Sequence, residues 1–345
     1  MLFGDDGVSM DTDNTNIWLH NMDFFYGKPG SDADQVKGDG SIDMKYHSTR
    51  VTISYNHFHD SGKVMGCGGT TGEKQGNLEI TFHHNWFDHT DSRCPRLHYT
   101  TAHIYNNYYD GVAVYGIGNT TESSAMIEGN YFRNVKRPMM ISGQGTDSYD
   151  EKTGTYTLKG TFSGQDGGMN KAYGNVMAEC EPKFVSQKEH ATHFDAYVAE
   201  SREERVPATV ASVKGGWNYS NFDTAEGMYE SRPDAAEDVP GIVTGRAGRM
   251  GGGDLKWTFD NGTDDAHHEV NTGLKAALTG YKSGLIAVQG EEKLSGLTLT
   301  GADGATGRTE VFDLHGRRMD VPTESLPAGV YVVRSGGKVR KVAVR

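Results

Sequence analysis

The chain has 345 residues, enough for one large domain and a smaller one, and it is acidic and turn-rich, with 46 glycines, nine prolines and a net charge of −12. A negative long-range field disfavours nucleic acids and anionic membranes as partners. No apolar run approaches the ~20 residues of a membrane span. Of the three cysteines, Cys67 and Cys94 could face each other across neighbouring segments, but two buried free thiols are the favoured prediction.

The first strand phrase is residues 16–19, NIWL, and the polar residues 27–41 after it predict an excursion. No signal peptide is visible, because residues 1–3 pass directly into the sequence GDDG. Nothing before Asn16 has the character of a capping element, which the end of a repeat protein needs. We therefore expect that N-terminal repeats and a leader are missing from this sequence.

The next strand is predicted at the sequence SIDMK, residues 41–45. Its alternation places Ile42 and Met44 on one face and Asp43 and Lys45 on the other, together with Asp39 if the strand extends back that far. Two carboxylates four residues apart on one edge repel each other. A cation between them would remove that repulsion.

A strand phrase ending in asparagine occurs four times, and an aromatic residue follows each asparagine within two positions. The asparagines are Asn56, Asn85, Asn107 and Asn130, separated by 29, 22 and 23 residues. Such a period predicts a solenoid of stacked coils. Asparagine tolerates the left-handed backbone of a tight corner, and stacked asparagines can hydrogen-bond to the coils above and below. An antiparallel sandwich is the alternative, although few hairpin dipeptides separate the phrases.

Two basic residues, Lys63 and Arg93, follow the asparagines of successive repeats by seven and eight residues. If the coils stack in register, these bases are neighbours near the edge that carries Asp39 and Asp43. Carboxylates and bases would then converge on one surface groove. Any one of them alone is more simply a surface charge. Arg137, seven residues past the fourth asparagine, would extend the basic column.

Paired histidines invite a metal interpretation that the strand geometry disfavours. His83 and His84 are adjacent, and adjacent strand residues point to opposite faces. His57 and His59 share a face but have no third ligand in the sequence. Packed or turn-bonded histidines are the favoured prediction for both pairs.

Beyond Ser142 the repeat weakens. Residues 143–170 have loop composition around a possible last strand at 156–162. The mixed-charge residues 191–205 are predicted to be helical or extended over the side of the coils.

The C-terminal part alternates differently. Residues 310–318, 326–334 and 337–344 predict three strands joined by glycine turns, after a glycine-rich linker at 250–275. This part resembles the C-terminal β-sandwich sorting domain of bacterial proteins exported by the type 9 route. A carbohydrate-binding or merely stabilising appendage is the alternative.

Several N-terminal motifs, in this order and spacing, resemble the core of the pectate lyase family 1 right-handed parallel β-helix over about residues 4–142, with a weaker trace to about Gly253. The motifs are GDDGVS at 4–9, NIWL at 16–19, DGSIDMK at 39–45, VTISYN at 51–56 and ITFHHN through RCPR to HIYNN at 80–107. The expected fold is all-β, an N-terminally truncated right-handed parallel β-helix at residues 1–253, a linker at 254–279 and a small C-terminal β-sandwich at 280–345.

The resemblance also implies site residues. Arg93 is implied as the catalytic base, calcium ligands as Asp6, Asp39 and Asp43, and substrate-binding residues as Lys45, Lys63, Arg96 and His98. Three positions depart from the family pattern. Gly4 replaces a usual second Asp, His98 replaces a longer basic residue, and the segment WLHN at 18–21 lacks a usual Asp.

These residue types suit β-elimination on a polygalacturonate. The C5 proton is weakly acidic while the adjacent carboxylate keeps its charge, and calcium bridging to that carboxylate neutralises it. Lys45 and Lys63 add positive charge where the anion develops. A guanidinium has a reference pKa above about 12. Either an alkaline pH deprotonates Arg93 so that it can act as the base, or Arg93 stays charged and hydroxide or water removes the C5 proton.

The sequence therefore predicts a secreted or cell-surface bacterial, monomeric, calcium-dependent lyase that acts on de-esterified polygalacturonate. A catalytically silent β-helix that binds acidic polysaccharide is the alternative from a different class. A hydrolase on the same fold would need paired acid and base carboxylates, and its Gly-His-Gly signature is absent from the sequence. A calcium-independent lyase would be expected to lack acids at Asp39 and Asp43.

Overall fold

The computed structural model describes residues 7–11, 13–25, 40–59, 61–69, 78–179, 182–249, 273, 276–277, 280, 310–312, 319, 326, 329–335 and 338–344. The chain divides into two units, Met1–Lys282 and Ser283–Arg345. The boundaries predicted at residues 253 and 280 stay predictions.

Three sheets of parallel strands, here called sheets A, B and C, make up the first unit. Sheet A contains β1 (Val8–Met10), β4 (Ile42–Met44), β7 (Met65–Cys67), β10 (Arg96–Leu97), β13 (Ile117–Asn119) and β16 (Met139–Ile141). Sheet B contains β2 (Thr15–His20), β5 (Thr49–Ser54), β8 (Leu78–His83), β11 (Thr100–Tyr105), β14 (Ser124–Glu128), β19 (Met169–Tyr173) and β21 (Tyr197–Val198). Sheet C contains β3 (Asp23–Phe25), β6 (His57–His59), β9 (Trp86–Asp88), β12 (Tyr108–Asp110), β15 (Tyr131–Arg133) and β20 (Val176–Ala178).

The chain visits the sheets in a fixed order, A then B then C, and each circuit stacks on the previous one. Every ladder within these three sheets is parallel, as between β8 and β11, where Ile80 pairs with Ala102 and Phe82 with Ile104. The predicted parallel β-helix is therefore confirmed, and the antiparallel sandwich is wrong for this unit.

The repeated asparagines form a buried ladder, as predicted. Asn56 donates through Nδ2 to Oδ1 of Asn85 at 3.1 Å, and the same bond links Asn85 to Asn107 at 2.9 Å and Asn107 to Asn130 at 3.0 Å. The ladder continues to Asn175 at 3.0 Å. Each of these donors also reaches a main-chain carbonyl, so the buried amides are satisfied.

The expected left-handed backbone lies one residue earlier than predicted. The positive φ angles fall on the residue before each ladder asparagine, namely Tyr55, His84, Asn106, Gly129 and Gly174. The asparagine itself keeps its side chain inside the coil, because its role is to hydrogen-bond the neighbouring coils. The preceding residue makes the corner and takes the backbone strain.

The interior of the coils is a continuous apolar core. Its clearest feature is a column of stacked rings from successive strands of sheet C, formed by Phe24, Phe58, Phe87, Tyr109 and Phe132. Neighbouring ring centroids lie 4.4–5.2 Å apart. Cys67 and Cys94 are buried free thiols, as predicted.

After β16 the chain leaves the coils before returning in β19. This excursion contains the short helix α1 (Gly145–Ser148) and the hairpin β17 (Tyr149–Asp150) and β18 (Thr155–Tyr156). The last strand predicted at 156–162 is wrong, since residues 157–162 are not strand and Leu158 is 55% exposed. The sequence prediction missed a full repeat, which begins with β19 and β20 around Asn175.

Residues 191–205 contain β21, the bridge residue Ala196 and turns but no helix, so the helical alternative is wrong. Two 3₁₀ turns, Phe222–Thr224 and Ala236–Asp238, precede helix α2 (Val239–Arg246). That helix buries Val239 and Val243 against sheet C beside Tyr108. In the described part of the chain, no helix has both the length and the apolarity that crossing a bilayer requires.

The second unit contains an antiparallel sheet of β22 (Glu310–Phe312), β23 (Gly329–Ser335) and β24 (Lys338–Val344). These strands overlap the three that the sequence predicts. Val311, Leu326, Tyr331 and Val333 form a buried apolar cluster. A second sheet of the predicted sandwich is not seen among the described residues, and the predicted linker lies almost wholly outside them.

Candidate active site on sheet A

Asp43 and Arg96 lie on one ladder across the outside of sheet A, separated by Gly66. Asp43 pairs with Gly66, and Gly66 pairs with Arg96. The Gly66 amide donates to Oδ1 of Asp43 at 2.9 Å, and a Cβ at Gly66 would approach that oxygen to 2.9 Å. The glycine thus gives the carboxylate room to lie against the backbone of the next coil.

Lys63 and Arg93 are brought together in the next two coils, but with an offset. Lys63 forms a parallel bridge with Ser92, the residue before Arg93. Gly66, three residues after Lys63, pairs with Arg96, which is four residues after Ser92. The coil that carries Arg93 therefore holds one extra residue between the two pairs. Arg93 has a φ of 60°, and its carbonyl accepts from the Met65 amide at 2.8 Å. Arg93 therefore lies in a bulge, a feature that re-aims side chains.

Arg96 is only 7% exposed, so the structure does not bring it to the surface. Its Nη2 donates to Oε1 of Gln165. Burial lowers the pKa of the Arg96 guanidinium, and the charge of Arg93 adds to that effect, while Asp43 opposes it. Arg96 remains a cation. Its charge is attracted by Asp43 and repelled by Arg93.

His98 is 2% exposed and belongs to the same network. Thr120 donates its hydroxyl to the Leu97 carbonyl at 2.6 Å, so His98 Nδ1, at 3.0 Å, donates to the Thr120 oxygen. His98 Nε2 then accepts from Gln165 Nε2 at 3.5 Å. Burial, together with the charge of Arg96, lowers the pKa of His98 to about 4. His98 is consequently neutral at neutral and alkaline pH.

Gln165 is the site residue that sequence reasoning missed. It lies in the excursion after β16, where its main-chain carbonyl accepts from Ser142 Oγ at 2.8 Å and from Lys214 Nζ at 3.0 Å. Its side chain joins Arg96 to His98. No periodic signal marks this residue, because it reaches the site from outside the repeat.

The remaining predicted residues are only partly visible. Lys45 follows β4 directly, and its amide donates to the Met10 carbonyl at 2.8 Å. Asp6 and Asp39 lie outside the described residues. Within the described ranges, no group of three His, Cys, Asp or Glu side chains could hold a metal ion. Asp43 is thus the one described member of the predicted calcium set.

The histidines of both pairs are packed or hydrogen-bonded within the protein, as predicted. His57 Nε2 lies 2.9 Å from Asp88 Oδ2. His83 and His84 do not point apart, however, because the left-handed backbone at His84 brings their Nδ1 atoms to 2.8 Å. That part of the prediction is wrong. Burial lowers the pKa of His83 to about 3 and that of His84 below its usual value.

The fold and this row of charges define a parallel β-helix protein with a mixed acidic and basic surface on one sheet. Residues 4–165 match the family model described as pectate lyase. Over that range the chain is similar to the pectate lyase family, which confirms the resemblance carried by its motifs.

Curated relatives match the same part of the chain. A pectate trisaccharide-lyase of Bacillus licheniformis is 33% identical over 135 residues, which is 39% of this chain and 38% of the relative. Pectate lyase 3 of Pectobacterium carotovorum is 34% identical over 159 residues, 45% of this chain and 40% of the relative. The chain therefore spans less than half the length of these relatives.

Solved structures give a looser similarity. Pectate lyase C of Erwinia chrysanthemi is 21% identical, with a TM-score of 0.47, covering 74% of this chain and 62% of that one. Pectate lyase II of Xanthomonas campestris is 24% identical, with a TM-score of 0.47, covering 70% of this chain and 64% of that one.

Proposed function

We propose that this chain is a calcium-dependent pectate lyase, which cleaves de-esterified polygalacturonate by β-elimination with Arg93 as the base. The observation that carries the proposal is the bridge between Lys63 and Ser92, which sets Lys63 beside the Arg93 bulge on the sheet that holds Asp43. The family match over residues 4–165 supports the same activity.

Calcium would be held by Asp43 together with Asp6 and Asp39. Carboxylate oxygens are the ligands that calcium prefers, and it takes about six to eight of them, so the chemistry of Asp43 fits while further donors are required. When bound, the ion would neutralise the charge of a uronate carboxylate, and the C5 proton would become more acidic.

The chain's own residues bind the polymer and move the proton. Lys45 and Lys63 pair with uronate carboxylates, and they place positive charge near the developing anion. Neutral Arg93 accepts the C5 proton. The C5–H electrons form a C4–C5 double bond, the glycosidic oxygen leaves C4, and water protonates it. Arg96, His98 and Gln165 would contribute from beneath the surface, as a hydrogen-bonded group that holds the Arg96 charge near Arg93.

The test is the ultraviolet absorbance of the unsaturated uronide product. Polygalacturonate is incubated with the protein, with and without EDTA, and with the variants Arg93→Lys and Arg93→Ala. Absorbance that rises for the native chain, and that EDTA and both variants abolish, supports the proposal. Arg232→Lys is the matched control, since Arg232 is an exposed arginine paired with Glu230. Binding of the polymer without any rise would instead establish the silent acidic-polysaccharide module.

Secretion and domain organisation belong to the same proposal. The unit from 280 to 345, after a linker at 254–279, would act as an export appendage of a monomeric secreted enzyme. Deleting residues 283–345 should leave lyase activity in the purified protein and abolish its appearance outside the producing bacterium. Unchanged export of the shortened chain would refute this role, and a dimer mass in light scattering would refute the monomer.

A further inference from the structure

A second concave site lies on sheet B, away from the row of charges on sheet A. A pocket of about 800 Å³ opens between the outer faces of β5, β8 and β11 and the covering segment 220–229. Thr52, Thr81 and Thr101 lie on its wall, with the rings of Tyr105 and Tyr229. Its volume falls within the ~300–1,000 Å³ typical of small-molecule sites.

One chain of hydrogen bonds ties the covering segment to sheet B through Tyr229. Arg202 donates to both Glu128 oxygens at 2.9 and 3.2 Å, and His103 Nε2 lies 2.6 Å from Oε1 of Glu128. Because a carboxylate oxygen accepts, His103 Nε2 donates to Glu128. His103 Nδ1 and Thr81 Oγ1 are both hydrogen-bonded to the Tyr229 hydroxyl, Thr81 at 3.0 Å.

A second chain leaves an acceptor without a partner. Asp234 accepts from His84 Nε2 at 2.9 Å, so His84 Nδ1 accepts from His83 Nδ1 at 2.8 Å. The proton of His83 therefore lies on Nδ1, and His83 lines the pocket. Among the described residues, His83 Nε2 has no hydrogen-bond donor, so its lone pair is available to a ligand. The ring stays neutral because its pKa is about 3.

The charges of the pocket disfavour an acidic ligand. Arg50 is the one Lys or Arg side chain in its lining, against Glu79 and Glu226. One cation against two carboxylates leaves a formal charge of −1 before the histidines are counted, and Arg50 and Glu79 are exposed. A galacturonate, which sheet A suits, would meet net repulsion here.

We propose that this pocket on sheet B binds a neutral sugar unit, a pentose or hexose. Sugar hydroxyls donate to His83 Nε2 and exchange hydrogen bonds with the threonine hydroxyls. The apolar C–H face of the ring packs on Tyr229, which is 45% exposed. This inference is independent of the lyase activity, because no residue of the pocket belongs to the sheet A site.

The test is a titration of the full chain with neutral galactobiose and arabinobiose, and with digalacturonate, followed by isothermal calorimetry and ligand-observed NMR. We expect saturable binding of a neutral disaccharide with a Kd of about 1 mM or below, and weaker binding of digalacturonate to this site. Thr52→Phe, which fills the pocket, should weaken neutral binding at least tenfold. Thr15→Phe, at an exposed position of β2 outside the lining, should leave it unchanged.

Hydrogen exchange of the native chain provides a readout that needs no variant. Neutral sugar should slow amide exchange in segment 220–229 and in β8. No saturable binding of either neutral disaccharide, binding that Thr52→Phe leaves intact, or protection confined to sheet A would each overturn the proposal. Loss of lyase activity in any sample does not bear on it.

Discussion

Lys63 forms its parallel bridge with Ser92 and not with Arg93. The coil that carries Arg93 is one residue longer than its neighbour at this point, and the extra residue has a left-handed φ of 60°. Lys63 and Arg93 therefore belong to adjacent coils but to different rungs.

The left-handed backbone at Arg93 predicts that substitutions there change stability and activity independently. Arg93→Gly should be as stable as Arg93→Ala or more stable by about 1 kcal/mol, because glycine takes a positive φ without steric cost. Both variants should lose turnover by roughly 10³-fold, the scale of a lost general base. Thermal melts and product absorbance measure the two effects. A Gly variant clearly less stable than the Ala variant would contradict the strained bulge.

Gly66 is predicted to set the position of the Asp43 carboxylate. In Gly66→Ala the new Cβ would approach Asp43 Oδ1 to 2.9 Å, so the carboxylate must shift. We expect the calcium concentration for half-maximal activity to rise about tenfold, as when a metal ligand loses its supporting contact, with the melting temperature little changed. Gly241→Ala is the matched control, since no atom lies within 4 Å of its added Cβ. Equal calcium dependence in both variants would refute this role.

Gln165 is predicted to hold the buried cation in place. Gln165→Ala leaves the Arg96 guanidinium without its acceptor, at a cost of about 1–3 kcal/mol in the free energy of unfolding. Gln165→Glu restores an acceptor for Arg96 but removes the amide donor to His98. We therefore expect the Glu variant to recover part of the stability in chemical denaturation at neutral pH. A neutral effect of the Ala variant would show that Arg96 finds another partner.

The lowered pKa of His98 predicts acid sensitivity. The folded state holds this histidine neutral down to about pH 4, whereas the unfolded chain protonates it near pH 6.5. The unfolded state therefore binds more protons between these values, so stability is present above about pH 6.5 and is lost as the pH falls toward 4.

His83, with a pKa of about 3, acts in the same direction. Each histidine should contribute about 3 kcal/mol to this loss between pH 7 and pH 4. Urea unfolding from pH 7 to pH 4 measures the slope, and His98→Gln should flatten it. His47→Gln is the control, since His47 is an exposed histidine beside Asp13. A slope unchanged by His98→Gln would contradict the assignment.

The asparagine ladder predicts a graded series. Asn107 bonds to Asn85 on one side and to Asn130 on the other, and it is fully buried. Asn107→Ala should therefore cost about 3 kcal/mol or more, since it leaves several buried groups unsatisfied. Asn175→Ala, at the last described rung, should cost clearly less. Equal losses in equilibrium unfolding would show that the rungs do not act as a continuous ladder.

The sequence by itself determined the repeat. Alternation within a strand and an asparagine after it are local signals, and stacking identical phrases in register follows from them, so the parallel coils, the buried asparagines and the nearness of Lys63 to Arg93 could be predicted. The free thiols at Cys67 and Cys94 could be predicted for the same reason, because their surroundings are set by the coil.

Only the tertiary structure decided the features that depend on residues outside the repeat or on a broken register. The extra residue at Arg93 appears only when two coils are paired, and Gln165 reaches Arg96 from an excursion that carries no periodic signal. Tyr229 meets His103 across 126 positions of sequence, so the pocket on sheet B was not predicted. Local pattern fixes what each strand does, whereas side chains far apart in sequence meet only once the chain has folded.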